Sequence, residues 1–73
     1  MSDRAITEAR VQELRDNTAE WLDRTIDSLG RLAAAIRTGD DSAAKVHMSD
    51  AHVTMMLVRD GWNMLSRMKG KQS

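Results

Sequence analysis

One short segment, Thr38-Gly39-Asp40-Asp41, divides a chain of 73 residues that contains no proline. A glycine suits the left-handed position that closes a helix, and an aspartate just after it caps the next helix start. Arg37 stands in the last turn before the break and Asp41 in the first turn after it, so each complements a helix dipole. Elsewhere the chain is rich in Ala, Arg, Asp, Leu and Met, with only Gly30, Gly61 and Gly70 to weaken a helix. Ser2 or Asp3 suits the first cap. The spacing therefore predicts helices at about 3–37 and 41–69, a turn at 38–40 and a frayed tail at 70–73. The fold class is all-α: one domain, 1–73, built as a long antiparallel helical hairpin.

The apolar residues are more ordered on the second helix than on the first. Ala44, Met48, Ala51, Met55, Val58, Trp62 and Leu65 recur at steps of four and three, the rhythm of packed helices. On the first helix Leu22, Ile26, Leu29, Ala33 and Ile36 follow the same rhythm, while Val11, Leu14, Thr18, Trp21 and Thr25 form a neighbouring stripe. These two stripes mean either a seam that drifts around the helix or two faces with two partners. A second apolar set, Val46, Val53, Leu57, Met64 and Met68, lies on another side of the second helix. One neighbouring helix cannot cover both sides.

Size sharpens that conclusion. A chain of 8.2 kDa with no cysteine has no disulfide to staple it, and its burial barely offsets about 1.5 kcal/mol of entropy per ordered residue. Oligomerisation is the remaining route, so the hairpin is expected to pair with itself into a four-helix bundle.

Charge excludes several functions. Eleven acids and eleven bases cancel, which removes the usual electrostatic warrant for nucleic acid or an anionic membrane. A DNA-reading helix-turn-helix also needs shorter helices and a basic recognition face. No apolar run reaches a membrane span, and Met1-Ser2-Asp3 does not begin a signal peptide, so a cytoplasmic protein with no membrane partner is expected. Within the chain the charge is divided: residues 1–28 carry seven acids and four bases, residues 29–73 four acids and seven bases. Folding at Gly39 lays acidic Glu8, Glu13 and Asp16 towards basic Arg59, Arg67 and Lys69, which favours the antiparallel arrangement.

Chemistry-bearing groups do not converge. His47 and His52 are five residues apart, whereas a metal pair on a helix needs three or four. The carboxylates alternate with arginines, as in Glu13-Leu14-Arg15-Asp16, the pattern of a solvated face. No catalytic residue, metal or cofactor is expected, and no enzyme activity. Met48 and Met55 read as core filling. Val53, Met56, Leu57, Met64 and Met68 read as a partner or dimer surface, since flexible methionines adapt to varied partners. An antiparallel register of about 80 − i brings Trp62 within a turn of Trp21. The pair reads as a core cluster, with the alternative that Trp21 is an anchor at an interface.

The Gly39-Asp40-Asp41 turn, the two long amphipathic helices and the absence of cysteine together resemble the small two-helix host-takeover proteins that transposable phages of Pseudomonas make early in infection. The resemblance covers the length of the chain but lies in its layout, so no site residue is carried over from it. It implies a homodimer that caps a host protein, in the manner of anti-quorum-sensing and twitching-inhibitor proteins. The expected function is thus a protein–protein interaction module, an inhibitor or adaptor occluding a host regulatory protein. The alternatives are a secretion-type chaperone or assembly subunit, and a nucleic-acid-associated regulator.

Overall fold

A computed structural model describes the backbone of residues 3–72 and the side chains of residues 7–68. Helix α1 spans Asp3–Thr38 and helix α2 spans Asp41–Gln72, and the two pack against each other. The second helix thus continues through three of the four residues expected to fray; Ser73 and the alternative cap Ser2 lie outside the described residues.

The turn forms as its chemistry dictates. Gly39 takes φ 74°, and its N–H donates to the Ile36 carbonyl at 3.2 Å. The Asp40 N–H reaches back to Ala35 O at 2.9 Å, completing the paired bonds that close a helix on a left-handed residue. Asp40 then caps α2, its carboxylate accepting from the Ala43 N–H at 3.1 Å. Gly39→Ala should lower stability by about 1–2 kcal/mol because a Cβ is disfavoured at that φ. Gly30→Ala should instead raise it by about 0.5–1 kcal/mol, since Gly30 is mid-helix with nothing within 4 Å of an added Cβ. Thermal melts of the two variants should move in opposite directions.

Small side chains meet at two levels of the seam between the helices. Thr25 and Thr54 meet across it, with hydroxyl oxygens 2.7 Å apart, and Gly61 lies against Thr18. Both pairs sum to 79, so residue i stands opposite 79 − i, one residue from the expected register. The half-buried and buried positions of α1 are Val11, Leu14, Thr18, Trp21, Thr25, Ser28, Leu32 and Ala35, with Ala33 beside them. Those of α2 step in the same way: Ala44, His47, Ala51, Thr54, Val58, Gly61, Leu65 and Met68, with Ala43 beside them.

This corrects the expected seam. Ala51, Val58 and Leu65 do face inward, but Met48, Met55 and Trp62 each lie one residue beyond an inward position and are exposed, Trp62 by 59%. On α1 the stripe Val11–Leu14–Thr18–Trp21–Thr25 packs, and Leu22, Ile26, Leu29 and Ile36 are exposed. Trp21 and Trp62 therefore form no core cluster. The physical reason is close approach where small residues meet: at Thr18–Gly61 and Thr25–Thr54 the backbones come together, and a large side chain at those levels would wedge them apart.

The hydroxyls of the three seam threonines are all satisfied. Thr18 donates to Leu14 O at 2.7 Å. Thr25 donates to Thr54 Oγ1, and the Thr54 hydroxyl donates in turn to Asp50 O at 3.1 Å. Thr25 is 97% buried by this arrangement, and no buried side-chain polar atom among the described residues lacks a partner.

The hairpin is a slab of 56 × 20 × 13 Å with a radius of gyration of 16.7 Å, against about 11 Å for a compact domain of this length. Its accessible surface is 5867 Å², where a compact protein of its mass exposes about 4,500 Å². Among the described residues only Ala35, Ala51 and Leu65 form a buried apolar core, and no large side chain is fully buried.

Candidate interaction surfaces

A slab one helix thick has two broad faces, and the seam fixes what each carries. Successive residues turn by about 100° on a helix, and the two helices run in opposite directions. Residues that follow a seam position therefore fall on the same face from both helices, here the front. Residues that precede one fall on the back.

On the front face α1 presents Gln12 and Arg15 near its start and then Ala19, Leu22, Ile26, Leu29, Ala33 and Ile36, an apolar stripe with no charge in it. The α2 half alternates: Met48, Met55 and Trp62 stand between Lys45, His52 and Arg59. A shallow hollow of about 170 Å³ lies here among His52, Met55, Met56 and Arg59.

The back face is divided the other way. From α1 come Glu13, Asn17, Glu20, Arg24, Asp27 and Arg31, all polar. Their ion pairs run along α1 itself, Arg24–Glu20 at 3.3 Å and Arg31–Asp27 at 3.2 Å, both well exposed and each worth at most about 0.5 kcal/mol. From α2 come Val46, Val53, Leu57 and Met64, apolar positions interleaved with Asp50 and Asp60 and followed by Arg67. Between them runs an open groove of about 620 Å³, lined in part by Glu20, Asp27, Asp50 and Val53. Trp21 forms its floor from the seam, with the Arg24 guanidinium 4.7 Å above the ring.

The expected surface residues divide between these places. Val53, Leu57 and Met64 share the back face, and Met56 sits on the outer edge of α2; all four are exposed. Met68 is half-buried at the far end of the seam, and Trp21 is half-buried within it. His47 is a seam residue and His52 a front-face one, so the two rings point to different sides. The front stripe of α1 reads as a heptad in the sequence and is expected inside, yet it is exposed; the signal against the expected seam is the recurrence every seven residues of weakly apolar His47, Thr54 and Gly61 on α2.

The fold and faces define an all-α hairpin with more apolar surface outside than in. No protein-family model, curated protein or solved structure matches the chain. Among the described residues no helix is long and apolar enough to cross a membrane.

Proposed function

We propose that the chain is a protein-binding module that works as a homodimer, a four-helix bundle that presents apolar side chains to a host protein and occludes it as an inhibitor or adaptor. The observation that carries this reading is the inversion of its apolar surface. Among the described residues twelve large apolar side chains are exposed, while the buried core holds two alanines and one leucine. A contiguous exposed apolar patch on a small chain marks an interaction site. Because the surface lies on two faces, one copy cannot cover both on another.

Light scattering at micromolar concentration should give about twice 8.2 kDa. A monomer with a sharp thermal transition would overturn the reading. The partner surface is expected on the back face, at Val53, Leu57 and Met64, with Met56 at its edge. Leu57→Asp should abolish capture of the host protein and leave helicity and dimer mass unchanged. Should Leu57→Asp fall apart to monomers instead, the back face belongs to the dimer and partner binding must be sought at Trp21 or the turn.

A further inference from the structure

We propose that the front face seats a second copy of this chain with both turns at the same end, so that α1 of each protomer lies along α2 of its partner. The proposal deepens the dimer reading and rests on it: it names the face and the orientation.

Area admits a face as an interface, and polarity selects which one. A slab face of 56 × 20 Å projects about 1,100 Å², above the roughly 800 Å² per partner of a stable interface. The front face is uncharged along α1 from Ala19 to Ile36 and sets Met48, Met55 and Trp62 between three polar residues on α2, whereas the back face is polar along α1 from Glu13 to Arg31. Only the front closes without burying a row of ion-paired side chains.

Charge and size select the orientation. A two-fold axis along the slab keeps each residue at its own height, so the 79 − i register within a chain also governs α2 against the partner's α1. Arg59 then comes level with residue 20, over the small side chain of the partner's Ala19. Asp16 and Asp23 stand about a turn to either side on the outer edge of that helix. Neither Arg59 nor Asp23 is in an ion pair among the described residues. His52 falls one turn from the same Asp23. With turns at opposite ends, α2 would instead lie on its own copy and set Lys45, His52 and Arg59 against themselves. Such rim charges add little affinity but decide register and reject the wrong arrangement.

Absence of cysteine makes the test clean. Chains carrying Ile26→Cys and chains carrying Met55→Cys, both exposed on the front face with Arg59 left in place, are unfolded together, refolded and treated with a short bismaleimide. The expected product is the mixed 26–55 cross-link, dominant over either chain linked to itself. Light scattering on both chains establishes the dimer first. A dimer that yields no mixed product, or mainly 55–55 product, overturns the orientation and leaves the dimer reading standing. A monomeric mass overturns both. Leu29→Asp should convert dimer to monomer at concentrations where Leu57→Asp stays dimeric; the reverse result overturns the face. If Leu29→Asp fails to fold, the cross-linking result still decides.

Discussion

Gly61→Ala should lower the melting temperature by roughly 10 °C, although alanine is the better helix former. In an exposed helix the exchange gains about 1 kcal/mol. At position 61 the new Cβ would run into Thr18 Oγ1 and stand 3.1 Å from that residue's Cβ and Cγ2. Threonine is stiff at χ1 and its hydroxyl is held by Leu14 O, so it has little room to give. Overpacking of this kind costs about 1–3 kcal/mol beyond the propensity gain, and each kcal/mol moves the melt of so small a domain by about 4–8 °C. In a Thr18→Ala background the hydroxyl and methyl are gone, and Gly61→Ala should cost much less. Melts of the two single variants and the double variant give the coupling directly. Additive losses would show that the helices do not approach as closely here as the geometry states.

Leu65→Asp should leave the chain unfolded at room temperature. Leu65 is the one large apolar side chain in the buried core, at 9% exposure and level with Leu14 across the seam. A carboxylate there is buried opposite Leu14, and a buried charge without a partner costs several kcal/mol, comparable to the whole stability of a domain this size. Asn63→Asp adds the same charge two residues away, at the exposed outer edge of α2, and should leave the helical signal intact. Circular dichroism of the pair separates burial from mere addition of charge.

What the sequence makes legible here divides by residue size. The turn was readable because Gly39 and the aspartates after it act locally, each through its own backbone. Helix lengths and register followed from it, and the register differs from expectation by a single residue. The seam was misplaced by one residue on α2 because periodicity weights large apolar side chains most heavily. Met48, Met55 and Trp62 announce themselves, while His47, Thr54 and Gly61 beside them carry almost no hydrophobic signal. Yet the close approach of the two backbones selects the quiet residues for the inside. On α1 the packing stripe was visible through Trp21 and Leu14, and its continuation through Ser28 and Ala35 was not, for the same reason. The apolar faces were predicted to exceed what one neighbour can cover, and the exposed residues on both sides of α2 agree with that. Which face meets which partner is a property of assembly, and it is written in no single helix.

The 79 − i register has a consequence for how the chain reaches its fold. Every contact pair is nested inside the next, centred on Gly39, like successive teeth of a zip fastener. Closing Ala35 on Ala44 orders a loop of only about ten residues, and each later pair adds two short stretches to a loop already closed, so its entropic penalty grows slowly. No strand must wait for a distant segment of chain. Among the described residues the outermost pair, Val11 and Met68, closes the longest loop, so the zip is expected to part there before it parts at the turn.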